Sequence, residues 1–269
     1  MKRNLVLIIA LALPGSAAAQ TAATPKAGAP IDLTGYWVSL ITEDWRIRMV
    51  TAPKGDYYSI PLNAEGKRVA DTWDAAKDVA QGKQCMSYGA PGIMRVPGRL
   101  HITWENDASL KLETDAGKQT RLFSFGAAPA AGAPSLQGSS TAQWQTPQLT
   151  RAYTSKISAQ DPNTPGFPGI QPQPQPPDTS KLGGTLKVVT THLRPGYIRN
   201  NGVPYSGNAV LTEYYDVHGL KGAEYLVVTQ IVDDPQYLNV PWVTSNHFRR
   251  EPDGAKWDPR ACELILPSK

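Results

Sequence analysis

Leu100-His-Ile-Thr-Trp-Glu105, Leu110-Lys-Leu-Glu-Thr114 and Thr120-Arg-Leu-Phe-Ser-Phe125 follow one another across Asn106-Asp107 and Asp115-Ala-Gly117. Each run has strand length and alternates large apolar with polar residues, and the links are rich in hairpin-turn residues. The three read as an antiparallel meander. Further strands are expected at Ser139 to Trp144, Thr185 to Leu193, Ala209 to Asp216, Tyr225 to Val232 and Trp242 to Arg249. Upstream, Gly35 to Met49 reads as one long strand bent near Glu43, with Trp37, Ile41, Trp45, Ile47 and Met49 on its apolar face. A helical pattern is found at Ala64 to Ala80, with Asn63 in position to cap it. With no sustained helical patterns between the strands, parallel βαβ units are not expected. The fold class is all-β: an antiparallel sheet closed into a barrel or folded into a sandwich, with one short helix and a long Pro/Gly-rich loop.

The chain opens with Met1-Lys2-Arg3, an apolar run from Leu5 to Leu13 and a small-residue site at Ala17-Ala18-Ala19. These are the three parts of a secretory leader, predicted over residues 1–19. A membrane span needs about 20 apolar residues, so this run is too short to be one. The expected location is therefore the periplasm or the exterior. Residues 20–30 hold Ala, Thr, Pro and Gly and read as a disordered lead-in. Residues 31–269 are expected to form one domain, interrupted by a disordered or irregular insertion around 126–183 that contains the alternating tract Gln171 to Pro177. The formal charge is +4, of which Lys2 and Arg3 supply two. So small a charge, spread along the chain, does not describe a nucleic-acid-binding face. Cys85 and Cys262 are the only cysteines, an even count that in an oxidising compartment predicts a disulfide.

Several segments together resemble a large group of secreted bacterial proteins without an assigned activity: Asp32 to Trp37, Pro61 to Gly66, Cys85 to Pro91, Ile93-Met94-Arg95, Gly138 to Trp144, Gly184 to Val189, Thr212-Glu213-Tyr214, Asp234-Pro235 and Pro241-Trp242. The triplet Gly35-Tyr36-Trp37 is similar to the Gly-x-Trp opening of lipocalins, which implies an eight-stranded barrel whose tryptophan plugs the closed end. Against lipocalin spacing stand the long insertion and the helix before Cys85.

The histidines His101, His192, His218 and His247 lack paired metal-ligand spacing, so no metal is expected. The chain carries no nucleophile elbow and no phosphate-cradling loop between strand and helix, so no cofactor is expected either. What remains is a set of acids, tyrosines and arginines on strands. Glu213 with Tyr214, together with His192 and Glu43, are the candidates for proton transfer; burial raises a carboxyl pKa and an arginine lowers it. Trp37, Trp45, Arg95, Trp104, Arg121 and Trp242 are the candidates for ligand contact, as aromatic walls with a few polar anchors. The same groups also suit a core with an internal ion pair, and Asp233-Asp234 suit a turn cap before Pro235. Three functions fit: a carrier for a small apolar or aromatic molecule, a cofactor-independent isomerase, cyclase or lyase, and an envelope interaction protein docking through the Pro/Gln tract.

Overall fold

The computed structural model describes residues 23–126, 132–146 and 183–264. The predicted leader, the Gln171–Pro177 tract and most of the insertion lie outside them. Nine strands close into a barrel: β1 (Gly35–Leu40), β2 (Arg99–Asn106), β3 (Ser109–Thr114), β4 (Thr120–Phe125), β5 (Ser139–Gln145), β6 (Thr185–Thr191), β9 (Val210–Leu220), β10 (Ala223–Asp233) and β11 (Trp242–Glu251). Around the barrel the order is β1-β11-β10-β9-β6-β5-β4-β3-β2. A separate hairpin, β7 (Gly196–Arg199) and β8 (Val203–Tyr205), sits between β6 and β9 in the chain.

Two expectations about this barrel need correction. It has nine strands where the lipocalin resemblance implied eight, and it is not wholly antiparallel, because β4 and β5 run parallel. The second point follows from the first. Strand directions that alternate around a closed ring require an even number, so a ring of nine must contain a parallel neighbour pair. The pair is short, Phe123 to Phe125 against Ser140 to Ala142. The remaining neighbours are antiparallel, including β1 with β11, which closes the ring.

Inward positions follow the period of two. Leu100 and Ile102, Leu110 and Leu112, Phe123, Leu186 and Val188, Tyr215, Leu226 and Val228, and Phe248 form the barrel core with Trp37. Burying a residue of the Leu, Val or Phe class is worth roughly 1.5–3 kcal/mol. At the end of the barrel where β1 finishes, a second apolar cluster joins Ile60, Leu62, Ala70, Ala90, Ile198, Tyr205, Leu211, Val232, Leu238 and Trp242. It belongs to a cap built from the segment between β1 and β2 and from the β7–β8 hairpin. Residues 23–30, predicted as a disordered lead-in, lie against the other end: the Trp144 indole donates to the Pro25 carbonyl, and the Lys26 amide donates to the Asp107 carbonyl.

The cap is where sequence patterning misleads. The expected long strand ends at Leu40, and residues 45–49 form the short helix α1 (Trp45–Met49). The five residues of α1 span little more than one helical turn, too few for alternation to exclude a helix, and here the turn buries Ile47 and Arg48 while leaving Trp45 65 % exposed. The single expected helix is two, α2 (Ala64–Ala70) and α3 (Ala75–Ala80), each with its own cap: Asn63 accepts from the Gly66 amide and Asp74 from the Lys77 amide. Between them Trp73 turns inward onto Gly202, which has φ +79° and no room for a Cβ beside the indole. A 3-10 turn (Met86–Tyr88) and α4 (Ala90–Ile93) complete the cap, so the described residues hold four short α-helices rather than one.

Cys85 and Cys262 are bonded, 177 residues apart, as expected. The partner segment is the tail beyond β11 rather than the last strand itself. That tail is pinned along its length: Trp257 packs edge-on to Tyr36 and His101, the Arg260 amide donates to the Asp115 carbonyl, and the Tyr88 hydroxyl donates to the Glu263 carbonyl. Replacing both cysteines with alanine is expected to lower stability by about 2–5 kcal/mol, since the bridge constrains so long a loop of the unfolded chain. Urea denaturation of the variant and of the oxidised protein measures it.

Candidate functional site

Arg121 on β4 and Glu213 on β9 face each other inside the barrel with both side chains fully buried. The guanidinium donates through Nη1 to Oε1 at 2.9 Å and through Nη2 to Oε2 at 2.5 Å, a bidentate pair. A network completes the site. The Tyr215 hydroxyl donates to Glu213 Oε1 at 3.2 Å and Gln230 Nε2 to the same oxygen at 3.2 Å. Asn246 Nδ2 donates to Gln230 Oε1 at 2.8 Å. Arg121 also donates to Thr190, which shares a 2.8 Å hydroxyl contact with Ser140 across the β5–β6 pair. Gln230 reaches the Ala90 carbonyl of the cap at 3.4 Å. The layer therefore touches both the barrel strands and the cap.

Local sequence explains the arrangement. Arg121 shares parity with Phe123, and Glu213 with Leu211 and Tyr215, so both charges are carried inward among core residues. Burial pulls the Arg121 guanidinium down, but the adjacent Glu213 carboxylate outweighs it and leaves the cation above its ordinary pKa. Burial, reinforced by Glu213, holds the Tyr215 phenol well above its usual value.

The other predicted residues are spread over the molecule. Tyr214, one position from Glu213, points to the opposite face of β9, where Lys187 lies over its ring. The neighbour that reaches Glu213 is Tyr215, which parity alone could have identified. His192 does not share the inward face of β6: that strand stops at Thr191, and His192 is exposed with φ 54°. Glu43 is not on an inward strand position but at the rim, accepting from Arg48 at 2.7 Å and 3.3 Å from His247 Nδ1. Trp37 is buried at the end of the barrel opposite the cap, donates its indole N–H to the Leu33 carbonyl and carries Arg250 over its ring at 4.1 Å. Trp104 is half-buried and stacks on Phe125. Arg95 and Trp242 do meet: the guanidinium lies 5.4 Å from the indole centre and bonds Asp44 and Thr244. Trp45 stands out in solvent on α1. Asp234 caps the turn at Pro235, foreseen as one reading, by accepting from the Gln236 amide at 3.3 Å, and it also accepts from the Ser206 amide and hydroxyl.

Sequence reasoning named Tyr215 only as a flank of Glu213 and gave no site role to Gln230, Asn246, Thr190, Ser140, Arg48 or Arg199. For the barrel group the signal was polar residues on core parity, such as Gln230 between Val228 and Val232. For Arg48 and Arg199 it was hidden by the misread first strand and the unforeseen hairpin. Among the described residues no group of three or more His, Cys, Asp or Glu is arranged to hold a metal.

Glu213→Leu leaves Arg121 buried without its counter-charge and is expected to cost about 3–5 kcal/mol in urea unfolding, whereas Arg121→Leu combined with Glu213→Leu recovers most of the loss. The phenol gives a pH prediction with a definite sign. Unfolded, Tyr215 releases its proton near 10; folded, it holds it to higher pH, so the unfolded state binds fewer protons above that point. Its contribution is complete below pH 10 and fades as pH rises further, and Tyr215→Phe should flatten the alkaline decline in stability.

Compared with protein-family models, with curated proteins and with solved structures, the chain gives no significant match.

Proposed function

We propose that this is a lipocalin-like binding protein that works outside the cytoplasm and takes a small apolar or aromatic molecule at the capped end of its barrel. The closed β-barrel is compatible with a barrel-type binding protein. The inward-facing side chains Trp37, Ile102, Phe123, Tyr215 and Phe248 and the Arg121–Glu213 layer are buried against one another, which directs attention from the interior to the ends. The observation that carries the reading is the apolar exposure of the cap segment. Trp45 and Met49 lie one turn apart on α1, 65 % and 53 % exposed, and Tyr58 follows at 72 %. Large apolar groups left in water on one segment suit contact with a ligand. The lipocalin likeness is supported by Trp37, buried at the first strand under Arg250. Location outside the cytoplasm is supported by the leader-like opening and by the Cys85–Cys262 bond. No helix among the described residues is long and apolar enough to cross a membrane.

The other two readings lack comparable support. Both oxygens of Glu213 are engaged by Arg121, Tyr215 and Gln230, and the Pro/Gln tract lies outside the described residues.

Native mass spectrometry of protein purified from its own source is expected to show a retained small molecule. Trp45→Ala should weaken its rebinding by roughly tenfold, on the order of 1–2 kcal/mol for loss of an aromatic contact. Protein that retains nothing, and whose tryptophan fluorescence is unmoved by a panel of aromatic compounds, would overturn the reading.

A further inference from the structure

Arg48 from α1, Arg95 from the loop after α4 and Arg199 from β7 line one cleft in the cap, together with Ile47, Ser87 and Gly92. All three are buried, at 5–6 % exposure. Arg48 gives Nη1 to Glu43 at 2.7 Å and Nε to the Arg95 carbonyl at 3.0 Å, and its Nη2 is buried with no partner. Arg95 is matched by Asp44 at 2.7 Å. Arg199 donates to the carbonyls of Asp56 and Tyr58 and to the Ser59 hydroxyl, while its Nε is buried with no partner. The carboxylate of Asp56, whose carbonyl Arg199 takes, is held by Arg46 at 2.9 Å. Three cations thus face two carboxylates, Glu43 and Asp44, and one positive charge has no counter-ion among the described residues. A native fold does not leave a buried charge and two buried N–H donors bare without cost.

We infer that this cleft binds the carboxylate of a small organic acid, which takes the free N–H groups of Arg48 and Arg199. The surplus of one charge matches a monoacid better than a doubly charged phosphate. The cleft itself, about 20 Å³, admits one oxygen-sized group and leaves the remainder of the ligand outside. Burial, and then the Arg95 charge, push the Arg199 guanidinium down to about 10, and burial pulls Arg48 down as well. An anion in the cleft reverses both effects. The inference deepens the carrier reading by giving the ligand an acidic end, and it rests on that reading only for the apolar body beyond the cleft.

Calorimetric titration of the full chain with benzoate, benzyl alcohol and inorganic phosphate at neutral pH tests it. Benzoate is expected to bind saturably, and Arg199→Gln and Arg48→Lys to weaken it by at least about tenfold, the loss of a hydrogen bond to a charged group. Arg199 also anchors the 56–59 loop, so its variant can fail to fold. Arg48→Lys keeps the charge that faces Glu43 but removes the Nη2 donor, and near-ultraviolet circular dichroism confirms that it is folded. Wild-type protein that does not bind benzoate, a folded Arg48→Lys with unchanged affinity, or phosphate displacing benzoate as the stronger ligand would each overturn the site. Benzyl alcohol binding as tightly as benzoate removes the acid site and leaves the carrier reading standing. Benzoate binding without benzyl alcohol binding supports the acid site.

Discussion

Taking the Arg121 guanidinium and the Glu213 carboxylate out of water costs several kcal/mol for each ion, a cost offset by the bidentate pair and the hydrogen bonds around it, with Arg121 Nε alone of the guanidinium nitrogens left without a partner. The partners come from one continuous arc of the ring, from β4 round to β11. Thr190 is on β6, Tyr215 on β9 with Glu213, Gln230 on β10 and Asn246 on β11, and the Ala90 carbonyl belongs to the cap. A slip of one residue in any of these strands turns its member of the network to the outside. The charged layer therefore ties the register of the strands to one another, which apolar core residues, being interchangeable in contact, do less sharply. It also lies between the two apolar clusters, so the cap docks onto a polar layer whose donors and acceptors fix its orientation.

The odd strand count imposes the second constraint. Because β4 and β5 run the same way, the chain must cross from one end of the barrel to the other before β5 can start. It returns through Ser135 and Leu136, whose carbonyls accept from the Arg194 and Ala90 amides. Gly138, at φ +62°, ends that crossing where a Cβ would strike the Thr191 carbonyl, so the turn into β5 depends on the absence of a side chain. The parallel seam, the return path and the glycine are one solution to a problem of parity.

Much of this was legible in the sequence, and the limits have physical causes. Strands β2, β3, β4, β6, β9, β10 and β11 announced themselves because one face is buried and period two is unambiguous over six or more residues. The isolated island at Ser139 to Trp144 proved to be β5 for the same reason. The cap was less readable because its helices have four to seven residues, too short for helical periodicity to outweigh alternation; Trp45 was assigned to a core face it does not occupy. At the charged layer, Glu213 and Arg121 were both singled out, but not as partners, since nothing local links β4 to β9. Tyr214 was preferred to Tyr215 by proximity in the chain, although adjacent strand residues face opposite sides. Arg48 and Arg199 depend wholly on tertiary contacts.

The Cys85–Cys262 bond also orders events in time. Cys85 belongs to a segment made early in synthesis, whereas Cys262 follows β11, the strand that completes the ring by pairing with β1. The cap thiol can therefore meet its proper partner only after β11 has been made and the tail beyond it has been laid down, Trp257 against Tyr36 and Arg260 against Asp115. Oxidation acts as a latch thrown last. Until then the barrel depends on the pairing of β1 with β11, a contact of high sequence separation, the kind that forms slowly and leaves strand edges open to other molecules.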